Sequence, residues 1–194
     1  MKWFIILFFI SLEAFSQEKN YDSLQVSIDP EVQGTLLSPK GENQPPLAIL
    51  IAGSGPTDRD GNQALFKNNS LKYLAEGLAQ KGIATFRYDK RVIAQINNAT
   101  VQEEKMTFED EVNDALLVVN HFKDKYKKII LIGHSEGALI GLLVAQKVVV
   151  SKFVSISGAG NSSATLIEEQ IGKNAPQLKE ESQKIISQLR KGEL

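Results

Sequence analysis

The chain has 194 residues, 42 % of them hydrophobic, a formal net charge of −1 and no cysteine. This suffices for one globular core and excludes a disulfide framework, a thiolate metal centre and a lipid-bearing cysteine. The near-neutral charge offers no electrostatic footprint for nucleic acid or an anionic membrane, which leaves a small molecule or a short peptide as the expected partner.

At the N-terminus, Lys2 precedes an apolar run over residues 3–12, and Ala14 and Ser16 stand three and one positions ahead of a cut before Gln17. This is the pattern of a secretory signal over residues 1–16. The run is shorter than the roughly 20 residues needed to cross a bilayer core. The expectation is an exported protein, periplasmic or secreted, without a stable membrane anchor once the signal is cleaved.

Next, Leu24, Val26 and Ile28 alternate with polar residues, and a second extended run follows the Asp29-Pro30 turn over residues 32–37, which predicts an antiparallel hairpin. The pattern then changes. Short unbroken apolar runs at 47–52, 83–86, 129–132 and 153–156 are separated by helical periods, as expected of strands buried on both faces of a parallel sheet. Leu71, Leu74, Ala75, Leu78 and Ala79 form one helical stripe, stopped by Gly82. Val112, Ala115, Leu116, Val119 and Phe122 form another, introduced by Thr107 and the acidic residues 109–111. Residues 92–106, polar and aperiodic, read as the longest loop of the core. Beyond residue 160, two polar helical segments divided near Pro176 carry the sparse apolar face Leu178, Ile185, Ile186 and Leu189, like a lid. The fold class expected is thus α/β: a core over residues 17–160 and a lid-like segment over 161–194.

The chemistry concentrates in Gly133-His134-Ser135-Glu136-Gly137, a G-x-S-x-G between the apolar run 129–132 and a helical run over 138–146. This is the setting of a nucleophile elbow, with Ser135 at the apex and the backbone N–H of Glu136 at a helix N-terminus. Because a serine hydroxyl is a poor nucleophile at neutral pH, it needs a base and an oxyanion hole. Ala52-Gly53-Ser54-Gly55-Pro56-Thr57-Asp58-Arg59-Asp60-Gly61 leaves the first parallel strand, where the second oxyanion donor of such a site arises. The N–H of Ser54 is the candidate, with Gly55 as the alternative. A dinucleotide fingerprint would need a glycine where Asp58 stands, and a phosphate loop would need Gly-Lys-Ser or Gly-Lys-Thr. No cofactor or metal site is suggested. Residues 58–60 read as turn-stabilising charges.

These two motifs, with Arg87-Tyr88-Asp89-Lys90-Arg91 between them, resemble the secreted bacterial esterases of the α/β-hydrolase superfamily, related to its serine aminopeptidase and prolyl-oligopeptidase-like branch. The resemblance covers about residues 48–160. It implies Ser135 as nucleophile, the N–H groups of Ser54 and Glu136 as oxyanion hole, and a carboxylic ester as substrate. It also implies a catalytic acid and then a histidine after the serine, on two further strands. Here the histidines are His121 and His134. The first falls on a helix next to Phe122, and the second is expected to turn away from the Ser135 hydroxyl.

Loss of a triad histidine lowers turnover by about a million-fold. The expectation is therefore an α/β-hydrolase portion lacking the last strands and inactive as it stands, with an exposed apolar edge at residues 153–156 that favours aggregation. Two other readings compete: a peptidase using the same site, and a non-catalytic binding protein that kept the pocket.

Overall fold

The computed structural model describes residues 19–193. The expected signal segment at residues 1–16 lies outside them. A six-stranded sheet has the order β1-β2-β4-β3-β5-β6, with β1 (Tyr21–Ser27), β2 (Gln33–Pro39), β3 (Leu47–Ile51), β4 (Ala84–Tyr88), β5 (Ile129–His134) and β6 (Lys152–Ile156). β1 pairs antiparallel with β2, and β2 antiparallel with β4. From β4 through β3 and β5 to β6 all pairings are parallel. The mostly parallel α/β sheet with its N-terminal antiparallel pair is the architecture that the hydrophobic pattern called for.

The apolar runs are unbroken because both faces of the sheet are covered. Leu47, Ile49 and Ile51 of β3 pack with Val112, Ala115, Val119 and Phe122 of α3 (Phe108–Phe122) and with Ile140 and Val144 of α4 (Glu136–Lys147). On the opposite face, Leu50 packs with Leu71, Ala75 and Ala79 of α1 (Ser70–Ala79). Helix ends follow local chemistry. Thr107 caps α3 in a reciprocal box with Asp110, and Gly82, at φ 82°, turns the chain after α1 into β4.

Residues 92–106 depart from the expected loop. They hold most of α2 (Arg91–Asn97) and a 3-10 turn, Glu103–Lys105. Tertiary contacts specify α2, and periodicity does not. Its first residue donates from Arg91 Nε to Asp114 at 2.8 Å, Gln95 donates to Glu31 at 3.2 Å, and Val92 is buried. A helix of under two turns has too few positions to display a stripe.

Past β6 lie α5 (Ser163–Asn174), a 3-10 turn, Pro176–Leu178, and α6 (Lys179–Lys191). α5 and α6 pack on each other, with Ile186 buried while Leu178, Ile185 and Leu189 stay exposed. Among the described residues no strand pairs with the outer side of β6, and Val154 there is 40 % exposed.

Candidate active site

Ser135 ends β5 and starts α4 at φ 53° and ψ −119°, a conformation that costs a non-glycine residue of order 1–3 kcal/mol and persists only where its surroundings impose it. The surroundings do so by contact. A Cβ on Gly133 would lie 2.1 Å from the Gly137 carbonyl oxygen, and one on Gly137 2.3 Å from that of Ile51. Any side chain at either position would force β5, α4 and the end of β3 apart. The Ser135 N–H donates to the Ile156 carbonyl at 2.9 Å, tying the turn to the end of β6. The hydroxyl makes no capping bond to α4, which leaves it free for other chemistry.

The loop leaving β3 faces this turn. A Cβ on Gly53 would sit 3.3 Å from the Ser135 Cβ, so the loop backbone passes directly beside the serine. The Ser54 carbonyl is pinned by the Thr57 hydroxyl at 3.2 Å and by Gln63 Nε2 at 3.0 Å. Asp58 Oδ1 accepts from the N–H groups of Asp60 and Asn62 at 2.9 and 2.8 Å. Arg59 donates its N–H to Asp89 at 2.7 Å and its guanidinium Nε to the same carboxylate at 2.9 Å. Arg87 Nε donates to Asp60 at 2.9 Å. Residues 58–60 thus hold the loop to the end of β4, as their turn-stabilising reading expects. The N–H groups of Ser54, Gly55 and Glu136 donate to no carbonyl among the described residues.

A pocket of about 310 Å³ contains Ser135, Ser54, Gly53 and His134 together with Thr57 and Gln63. Gly55 instead lines a neighbouring cavity. Of the expected site residues, Ser135 and Ser54 are therefore brought into one pocket, and Glu136 follows Ser135 as the first residue of α4. His134 differs in part from expectation. Its ring lies over Gly53, with Nδ1 3.2 Å from where a Cβ would be, and shares the pocket with Ser135, although no hydrogen bond joins the two side chains. His121 is on α3, edge-on to Phe122 and 2.8 Å from Lys125 Nζ. Desolvation, reinforced by that ammonium, lowers its pKa.

The sequence reading missed one component. Lys90 is buried, with its Nζ 2.9 Å from Glu136 Oε1 and 3.7 Å from Glu111 Oε2. Burial raises the pKa of Glu111, and the Lys90 ammonium opposes that rise. The residue after the nucleophile is thereby anchored to the end of β4. A usable signal existed in the run from Arg87 to Arg91: charges directly after a buried strand must be matched by the loops leaving its neighbours. Among the described residues, no group of three or more His, Asp or Glu side chains gathers as a metal site.

No family model matches the chain. Esterase EstD of Thermotoga maritima is 30 % identical over 139 residues, covering 71 % of this chain and 33 % of that protein. The chain therefore spans about a third of the length of this curated relative. Among solved structures, the dienelactone hydrolase from Anabaena variabilis aligns with a TM-score of 0.56 at 21 % identity over 72 % of this chain and 64 % of that one. An esterase from Pyrococcus furiosus aligns with a TM-score of 0.54 at 18 % identity over 86 % and 63 %. A serine hydrolase from Xanthomonas campestris, described as having no lid, gives 0.52 at 18 % over 74 % and 64 %. With its mostly parallel sheet, its turn between β5 and α4 and these likenesses, the chain has the α/β-hydrolase fold.

Proposed function

We propose that the chain is the nucleophile-bearing part of an exported serine ester hydrolase that works through an acyl-enzyme. The observation that carries this reading is the strained Ser135, its hydroxyl making no capping bond, sharing one pocket with Ser54, whose N–H, like that of Glu136, donates to no carbonyl among the described residues. In the reaction, Ser135 Oγ bonds to the ester carbonyl carbon and gives its proton to a base. The oxyanion rests on the N–H groups of Glu136 and of Ser54 or Gly55, and the alcohol leaves with a proton. Water then cleaves the acyl-serine bond to release the acid. The name of the Thermotoga relative supports ester substrates.

The base lies outside the described residues in this reading, since neither histidine bonds to Ser135. The chain by itself is then nearly silent, because the oxyanion hole and binding alone retain about a thousand-fold of catalysis. Export rests on the apolar run at residues 3–12.

The test compares this chain with a form extended by the downstream coding sequence, on a short-chain chromogenic ester and on an aminoacyl amide. Ester turnover in the extended form alone, abolished by Ser135→Ala, is the expected result. Activity that survives Ser135→Ala overturns the nucleophile assignment. Preference for the amide favours a peptidase, and saturable ligand binding without turnover in either form favours a binding protein.

A further inference from the structure

No carboxylate, ammonium or guanidinium lines the pocket that holds Ser135. Beyond the serine turn and the start of the β3 loop, its wall comes from residues 61–71, which contribute Gln63, Phe66, Asn68 and Ser70. Phe66 is 70 % exposed, yet the turn that bears it is closed by reciprocal backbone bonds. The Gln63 N–H donates to the Phe66 carbonyl at 2.9 Å, and the Phe66 N–H donates to that of Gln63 at 3.0 Å. Buried Asn62 holds the segment that follows, its Oδ1 accepting from the N–H groups of Asn68 and Asn69 at 2.9 Å. An aromatic ring kept in water on a turn fixed in this way is pre-organised to meet a ligand face.

The two amides are set in opposite senses. Gln63 Nε2 donates to the Ser54 carbonyl and to the Thr57 hydroxyl, each at 3.0 Å, and because a carbonyl can only accept, Oε1 is the end left open. Asn68 Oδ1 accepts from the Ser70 N–H at 2.9 Å, which leaves Nδ2 open. Neither open end, nor the Ser70 hydroxyl, has a hydrogen-bond partner among the described residues. An uncharged pocket offering an aromatic face, an amide acceptor, an amide donor and a hydroxyl matches a neutral ring with C–H bonds on its face and hydroxyls on its edge. From this juxtaposition we infer that the alcohol half of the ester is a sugar: the site takes an acylated pyranoside, its ring on Phe66 and its hydroxyls on Gln63 Oε1 and Asn68 Nδ2. The inference rests on the proposed ester hydrolysis. It also separates esters from peptides, because an aminopeptidase has to pair the ammonium of its substrate and no carboxylate lines this pocket. Recognition and chemistry share one side chain, since Gln63 would meet the sugar with one end and holds the carbonyl of Ser54 with the other.

The test uses the chain with Ser135→Ala, so that nothing turns over. A monoacetylated methyl xylopyranoside is titrated beside cyclohexyl acetate and phenyl acetate, which keep a ring and the ester without the hydroxyls, while the side-chain amide resonances of Gln63 and Asn68 are followed by NMR. The glycoside should bind at least about tenfold more tightly than either comparator, from two hydrogen bonds that they cannot make, and it alone should shift both amides. Phe66→Ala should weaken its binding about threefold to tenfold, and Phe66→Trp should retain it. Asn68→Asp, which keeps the bond from the Ser70 N–H but loses the open donor, should weaken it at least about threefold. Leu65→Ala, 88 % exposed on the same turn but outside the pocket, should change nothing. Equal affinity for the three esters, tighter binding of phenyl acetate, or unchanged binding in Phe66→Ala overturns the inference. In the form extended by the downstream coding sequence, hydrolysis of simple esters without preference for the glycoside also overturns it and leaves the serine chemistry standing. Glycoside binding without turnover in that form removes the catalytic reading alone.

Discussion

Asp89 accepts from Arg59 three times, from the backbone N–H at 2.7 Å, from the guanidinium Nε at 2.9 Å and from the guanidinium Nη2, so one carboxylate at the end of β4 fixes both the course and the side chain of the loop that leaves β3. Both groups are largely removed from solvent, with side-chain exposures of 20 % for Arg59 and 17 % for Asp89, and loss of either partner of such a pair costs more than it does in a surface ion pair.

Asp89→Ala should accordingly destabilise the fold by about 2–4 kcal/mol, since hydrogen bonds to a charged group contribute about 1.5–3 kcal/mol and the guanidinium is left with only its neutral partners Gln25 and Thr35. Arg59→Lys, which keeps the charge and the backbone bond, should cost about 1 kcal/mol. Urea unfolding of the two variants beside the parent checks the order. Equal losses would show that charge alone holds the loop.

Gly137→Ala should abolish stable folding or cost upwards of about 3 kcal/mol. The added methyl would meet the carbonyl oxygens of Ile51 and Ala52 at 2.3 and 2.4 Å, backbone atoms that cannot rotate away. Gly160→Ala meets nothing within 4 Å and serves as the control. Thermal melts of both report the difference.

Ser135→Gly should raise stability by about 1 kcal/mol. Glycine removes the strain of φ 53° and returns part of that gain as backbone entropy in the unfolded chain. Ser135→Ala keeps the strained backbone and should be close to neutral. A glycine variant no more stable than the alanine one would mean that the elbow carries little strain.

The pH dependence follows from Glu111. Burial raises its folded pKa above the ordinary 4.5, so between those two values the folded state holds a proton that the unfolded state has lost. Its contribution is complete below 4.5 and disappears as pH rises through the folded pKa. Glu111→Gln has no proton to lose there. Relative to the parent, the variant should gain stability as pH rises above 4.5 through the raised folded pKa of Glu111, measured as the difference in melting temperature. The ion pair of Lys90 with Glu136, 2.9 Å in the parent, does not involve Glu111, which limits the loss on that side. A constant difference across the range would show that Glu111 is solvated.

At β6 the open edge should make the chain self-associate, and Val154→Lys should raise the concentration at which it stays monomeric. Sedimentation of the two chains decides the point. Identical association would move the sticky surface elsewhere, with the exposed Leu178, Ile185 and Leu189 next in line.

The parallel strands were legible because Leu47, Ile49, Ile51 and Leu50 are buried from opposite sides, and double burial leaves an unbroken apolar run in the sequence. α1 and α3 were legible because each buries one stripe and has an ordinary stop or start, Gly82 and Thr107. The elbow was legible because contact with backbone permits only glycine at 133 and 137. α2 was not, because it is held by Arg91 to Asp114 and by Gln95 to Glu31, partners 23 and 64 residues away that no local window contains. The bond from Lys90 to Glu136, spanning 46 residues, was hidden for the same reason. Charges show their sign in a sequence but not their partner.

That distance in sequence has a kinetic side. Ser135 takes its conformation only once β3, β5 and β6 are in register, and the loop opposite takes its own only when Asp89 and Arg87 have arrived at the end of β4. No short fragment can assemble the pair, and such long-range closures come late and slowly. The elbow is thus a gauge of assembly. During refolding, ordering of the Glu136 amide should trail the appearance of the helices and coincide with completion of the sheet, so the site reports on the last step that makes the chain a folded one.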